Sequence, residues 1–198
     1  MNYRLLSLLL GGLTASAQYK AVNPQITKIV SEVSEERIST IQKKLGDFGT
    51  RNIFSSQDNP TRGVGAARKW IYDQFRSYSP RLEVSYDQYR LKKETTRGTR
   101  ITDDVDLYNV VAVLPGTTNR EQRIIVSGHY DSLNIARAPG EPAPQPGDPP
   151  AAPRDPNSDA PGVTDDASGT ACVMELARVL SQYQFEKTLI FVAFAGEE

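Results

Sequence analysis

The chain has 198 residues and a formal net charge of −1, from 23 Lys and Arg against 24 Asp and Glu. That length supports one domain with a sizeable core, and the spread of both signs along the chain excludes a basic stripe for nucleic acid and an acidic solvating tail. Cys172 is the single cysteine, so no internal disulfide can form, and stability has to come from the core or from a metal.

The first residues do not read as fold. Arg4 gives a positive start, Leu5 to Leu10 is an apolar run broken by Ser7, and Ala15-Ser16-Ala17 is a small-x-small cleavage site before Gln18. This is the pattern of a secretory signal peptide over residues 1–17, too short to span a bilayer comfortably, with the periplasm or the medium as destination. Residues 18–198 are then the folded part. Ile26, Ile29, Val30 and Val33 fall at helical spacing, and Ser34 caps a second helix with Ile38, Ile41 and Leu45 inward and Gly46 as its stop. Residues 47–59 read as loop. Residues 61–78 predict a helix with Val64, Arg68, Ile71 and Phe75 on one face, Trp70 beside them, and Pro80 closing it.

Strands follow. Leu82, Val84 and Tyr86 alternate with polar residues, and Tyr89 and Leu91 continue the run. Residues 107–114 form a more continuous apolar strand closed by Pro115-Gly116, residues 124–127 a third, and the charged stretch from Lys92 to Asp104 an exposed hairpin connection. Residues 136–161 hold nine of the thirteen prolines. With almost nothing apolar to bury, they read as a surface insertion, polyproline-II-like or disordered, with a Pro-rich ligand for a partner domain as the functional alternative. Residues 170–183 predict a helix with the stripe Val173, Leu176, Ala177 and Leu180. Cys172 within it reads as core rather than nucleophile, because the chain has no second His to act as its base.

Residues 189–195 are nearly all apolar, a strand that wants cover on both faces and neighbours on both edges. The chain stops just after it, at Glu198, so the expectation is a fragment lacking a C-terminal part. Alternating strands and helices predict an α/β sandwich. Strands 107–114 and 124–127, a short link apart, fit an antiparallel pair. Strands 124–127 and 189–195, joined through a helix, fit a parallel pair with a right-handed crossover.

The chemistry centres on Ser127-Gly128-His129-Tyr130-Asp131-Ser132, which holds the only histidine. Residues two apart point to the same side of an extended chain, so His129 and Asp131 share a side where the strand runs out. A lone His is usually a partly buried residue bonded to its neighbours. Asp165-Asp166 before a helix is a common N-cap, and Glu197-Glu198 alone would face solvent. If the two strands are parallel, however, all three segments lie at one edge of the sheet, where α/β proteins gather their sites. One imidazole and several carboxylates suit a divalent metal of the zinc type. Two close metals need a bridging carboxylate, and a carboxylate off the metal can take a proton from water. No serine lies in a Gly-x-Ser-x-Gly elbow, so covalent catalysis fits less well.

These segments, with Gly162 to Gly169, Phe194 to Glu198 and Asn109 to Gly116, resemble the successive motifs of metallopeptidase family 28. These are the di-zinc exopeptidases that include bacterial leucyl aminopeptidases. The motifs come in the family's order and cover roughly the second half of the chain. The resemblance implies a three-layer αβα sandwich with a mixed, mostly parallel central sheet, of the zinc exopeptidase type, incomplete at its C-terminus. It implies two zinc ions in the full-length site. His129 would ligate the first, with Asp131 fixing the imidazole tautomer; Asp165 would bridge both ions and Glu198 would ligate the second. Glu197 would be the general base. A cis peptide is implied at Asp165-Asp166.

The family also supplies an acidic ligand and a second His downstream of the Glu-Glu pair. This sequence has neither, so the fragment is expected to be inactive and its longer parent active. The implied partner is a peptide substrate, with no nucleic acid and no membrane after signal cleavage, and the oligomeric state is left open. A glutaminyl-peptide cyclase or a carboxypeptidase of the same fold, and a non-catalytic binding module that kept it, are the alternatives.

Overall fold

The computed structural model describes residues 23–95, 101–134 and 155–198. The expected signal peptide and most of the expected Pro-rich insertion lie outside them. Four helices, α1 (Pro24–Ser31), α2 (Glu35–Gly46), α3 (Val64–Tyr78) and α4 (Ala167–Leu180), accompany four strands, β1 (Glu83–Leu91), β2 (Val105–Leu114), β3 (Asn119–His129) and β4 (Lys187–Phe194). Side-chain caps set three of the helix starts. Asn23 accepts from the Gln25 amide, Ser34 from that of Arg37 and Asp166 from that of Gly169. Helix α3 begins at Val64 rather than Thr61 because Gly63 sits at φ +93°, a left-handed conformation that ends helical continuation. It stops at Tyr78, where Ser79 is extended (φ −164°, ψ 140°), as the residue before a proline must be.

The strands form one mixed sheet in the order β1-β2-β4-β3. The β1–β2 and β2–β4 pairings are antiparallel and β3–β4 is parallel. The parallel pair expected through the helix is present, with Ile125 beside Ile190 and His129 beside Phe194. Strands β2 and β3, by contrast, are not neighbours, because β4 lies between them. Phe191 and Ala193 are fully buried and take the centre, while β3, whose start from Asn119 to Arg123 is polar and exposed, takes the edge. Within these four strands the parallel part is the β3–β4 pair alone, since β1 and β2 are joined by a hairpin, which only antiparallel pairing permits.

Alternate residues of the central strands, Val110, Ala112 and Leu114 of β2 and Leu189, Phe191 and Ala193 of β4, join the buried cluster with Ile71 and Phe75 of α3 and Ala171, Met174 and Ala177 of α4. Helix α3 lies on β1 and β2, α4 on β3 and β4, and α2 on α4. Among the described residues, two of the three expected layers are therefore seen. The opposite sheet face, with Ile125 61% and Phe194 41% exposed, has no helix on it among these residues.

Three expectations change. Cys172 is exposed, because the inward stripe of α4 runs through Ala171, Val173, Met174 and Ala177 and leaves position 172 pointing outward. The apolar stripe of α1 stays exposed at Ile26 and Val30. Helix α1 is docked through its end instead, where Arg178 donates to the Glu32 carbonyl at 2.7 Å. Residues 155–161 do not behave as loose insertion. Ala160 is buried, its amide donates to the Gly49 carbonyl at 2.7 Å, and its carbonyl accepts from Ser132 Oγ at 2.6 Å. Their backbone polar groups find partners in the 49–51 loop and at Ser132, which fixes them despite their proline content. Among the described residues no helix is long and apolar enough to cross a membrane.

Candidate metal centre

Because β3 and β4 are parallel, both run out at the same edge, and α4 starts there. The end of β3 approaches the start of α4 very closely. A Cβ on Gly128 would lie 2.8 Å from the Thr170 nitrogen and 2.9 Å from the Gly169 carbonyl carbon, so only glycine fits. This contact holds the backbone of His129 from both sides. Its amide donates to Asp166 Oδ2 at 3.1 Å and its carbonyl accepts from Thr170 Oγ1 at 2.8 Å. The other oxygen of Asp166 caps α4 by accepting from the Gly169 amide at 2.7 Å, so one carboxylate serves both helix cap and strand end. The Asp165-Asp166 peptide is cis, as the resemblance implied.

The imidazole is gripped at one end and open at the other. Its Nε2 lies 3.0 Å from Asp165 Oδ1 and 3.8 Å from Glu197 Oε2. Its Nδ1 is buried without a well-aligned hydrogen bond, with Asp131 Oδ1 3.4 Å away. Asp131 is fully buried and accepts from the Glu197 amide at 3.3 Å and the Glu198 amide at 3.0 Å. It thus ties the turn after β4 to the end of β3. A shallow cavity of about 420 Å³ beside His129, lined among others by Tyr89, Leu107, Phe194 and Glu197, opens from this edge onto the uncovered sheet face.

Negative charge accumulates here. Burial, and then the charges of Asp165, Asp131 and Glu197, push the Glu198 carboxyl up, with His129 acting the other way. Behind the edge, burial lowers the Arg51 guanidinium to about 10, opposed by Asp131 and Asp166, so it stays cationic at neutral pH. Among the described residues, no three metal-ligating side chains already close into a chelating set. The donor chemistry nevertheless fits zinc: an imidazole with Nδ1 against a buried carboxylate and Nε2 turned toward exposed ones, beside a carboxyl pushed up by burial and neighbouring carboxylates.

The structure brings His129, Asp131, Asp165 and Glu197 together and sets Glu198 among their charges. Three contributors were not legible as such. Asp166 turns away from the open site and into the backbone, Thr170 braces the His129 carbonyl, and Arg51 lies buried behind both. Asp166 had a visible cue as an Asp before a helix. Arg51, in a stretch that reads as loop, had none, since arginine in a loop normally faces water.

The fold is an α/β one with a mixed sheet, and its imidazole and carboxylates gather at the edge where the parallel pair runs out. Residues 109–198 match the model described as peptidase family M28. A "Probable zinc metalloprotease" of Pyrenophora teres f. teres is 35% identical over 183 residues, covering 91% of this chain and 36% of the relative. "Leucine aminopeptidase 1" of Ajellomyces capsulatus is 27% identical over 179 residues, covering 87% of this chain and 38% of the relative. Among solved structures, the glutaminyl cyclase of Macrostomum lignano superposes with a TM-score of 0.59 at 18% identity, over 98% of this chain and 45% of that one, which shows a shared fold. The chain spans about a third of the length of the curated relatives it matches.

Proposed function

We propose that the whole protein is a zinc-dependent exopeptidase, an aminopeptidase that removes N-terminal residues from peptides. The convergence of His129, Asp165 and Glu197 on one sheet edge, with Asp131 buried behind them, carries this reading. His129 through Nε2, Asp165 and Glu198 would hold two zinc ions. Zinc supplies acidification of water and polarisation of the scissile carbonyl. Glu197, exposed and 3.8 Å from the imidazole, takes the proton from the attacking water and passes it to the leaving amine. Asp131, 3.4 Å from Nδ1, faces the imidazole and holds the Glu197-Glu198 backbone, so the base and the ligand imidazole share one neighbour. Similarity to a relative named leucine aminopeptidase supports an N-terminal preference, and the pattern of Arg4, Leu5 to Leu10 and Ala15-Ser16-Ala17 supports secretion.

The test is zinc content and hydrolysis of leucine p-nitroanilide by the whole protein, with the 198-residue chain alongside. The whole protein is expected to carry zinc and turn over. The shorter chain should bind metal without turnover, because its one histidine leaves the second ion underligated. A metal-free or inert whole protein would sink the proposal. The shared fold with a glutaminyl cyclase raises one rival reading. Cyclisation of an N-terminal glutamine in place of peptide hydrolysis would establish it.

A further inference from the structure

Among the described residues, a fully enclosed cation lies behind the sheet edge. Arg51 is 0% exposed, and its guanidinium is spent entirely on backbone carbonyls. Nε donates to the carbonyl of Tyr130. One terminal nitrogen donates to Leu45 at 2.9 Å and Pro161 at 2.6 Å, the other to Gly162 at 2.9 Å. Its own backbone is paired with Ser132, the Arg51 amide donating to Ser132 Oγ at 3.0 Å and the Ser132 amide to the Arg51 carbonyl at 3.3 Å.

Three segments distant in sequence therefore meet on one side chain: the end of α2, the residue following His129, and the turn that leads to Asp165. That turn is closed on itself, since the Gly162 carbonyl also accepts from the Ala167 amide at 3.1 Å. Burying a guanidinium is costly, and carbonyls return less than a carboxylate would. A planar fork with five donors is, however, the one side chain that can hold several carbonyls at fixed separations.

We propose that Arg51 is a positioning residue of the metal centre. Its guanidinium sets the separation between the segment carrying His129 and the segment carrying Asp165, and with it the affinity of the site for a divalent cation. The inference rests on the zinc reading of the site. An arginine that only stabilised the fold would leave the metal affinity of folded molecules unchanged.

The experiment titrates the whole metal-free protein with Co²⁺, following its visible absorption, and records its thermal melting before metal is added. Wild type is compared with Arg51→Met, Arg51→Lys, Ser132→Ala and, as a core control on α3, Ile71→Ala. Arg51→Met is expected to weaken Co²⁺ binding by about tenfold to a hundredfold in molecules that remain folded, the range for groups that orient metal ligands. Ser132→Ala, which removes one strut and keeps the guanidinium, should weaken it by several-fold. Lysine, a single point charge, should restore melting more than affinity. Ile71→Ala should lower melting and leave affinity alone.

Wild-type affinity in both Arg51→Met and Ser132→Ala, or an equal loss in Ile71→Ala, overturns the proposal. If Arg51→Met does not fold, Ser132→Ala decides, and an unchanged affinity there overturns it. A wild-type whole protein that binds no Co²⁺ overturns the zinc reading and this inference with it. Binding in wild type that is unaltered in the variants overturns this inference alone.

Discussion

Two groups of charge, one buried and one partly open to solvent, sit toward opposite ends of α4 and are balanced differently. At the helix's far end Glu175, 1% exposed, is matched from within the chain. Arg178 donates to it at 2.6 and 2.9 Å, Arg37 at 3.1 Å and the Ser34 amide at 2.9 Å. Burial pushes its carboxyl up, but Arg178, Ser34 and Arg37 more than offset this and hold it below the ordinary value. At the near end Asp131, Asp165, Glu197 and Glu198 crowd one imidazole, and Glu198 is driven up instead. The lesson is one of completeness. A buried carboxylate bonded directly to the cations of its own chain is a structural joint, whereas a crowd of carboxylates around one imidazole, one of them driven up by its neighbours, is a place for a cation from outside.

That contrast can be broken at either end. The largest effect is expected from Glu197→Gln in the whole protein, which should lower kcat by about 10²- to 10⁴-fold, the usual contribution of a general base. Zinc content measured on the same sample should be unchanged, and a parallel loss of zinc would make Glu197 a ligand instead. Asp131→Asn should weaken zinc binding by about 10- to 100-fold in a calorimetric titration. Because the side chain also anchors two amides, the metal-free melt should fall with it.

Glu175→Gln should leave metal binding alone and cost about 3 kcal/mol in denaturant unfolding, the lower end for breaking a buried ion pair because both arginines keep some solvent. The sign of its pH dependence follows from the direction of the shift. A depressed carboxyl stabilises above its unfolded value of 4.5 and loses that contribution as pH falls through the lower folded value. The gap between wild type and Glu175→Gln should therefore be full at neutral pH and close on acidification. The smallest effect sharpens the contrast from the other side. Glu198→Gln removes a repelled charge, so it should raise the metal-free melt slightly while weakening zinc binding. A lowered metal-free melt would show that the edge is already compensated.

Much of the scaffold was legible. The alternation of Leu82, Val84 and Tyr86 and the apolar runs at 107–114 and from Leu189 to Phe194 announced strands, and the strand–helix–strand order announced the parallel pair that brings His129 beside Phe194. What failed was local reasoning about long-range partners. Nothing between residues 107 and 127 says that β4 will insert between the strands they form, because neighbour choice depends on which strand buries both faces. Nothing in the proline-rich run says that Ala160 and Pro161 will be held by Ser132 and Arg51, because those bonds use backbone carbonyls, which carry no sequence signature. Cys172 looked inward only because its helix is apolar overall; its own angle on the helix decided otherwise.

The sequence by itself determined which residues stand at the sheet edge. Hydrophobic periodicity fixes where β3 and β4 end and where α4 begins, and the crossover connection makes those ends coincide. The tertiary structure alone decided what each acid at that edge does. Asp165 faces the imidazole while its neighbour Asp166 holds the His129 amide, Asp131 gathers the amides of Glu197 and Glu198, and Arg51 joins the two loops from behind. Those assignments depend on backbone direction and on hydrogen bonds between residues tens of positions apart, which come into being only when the chain has closed.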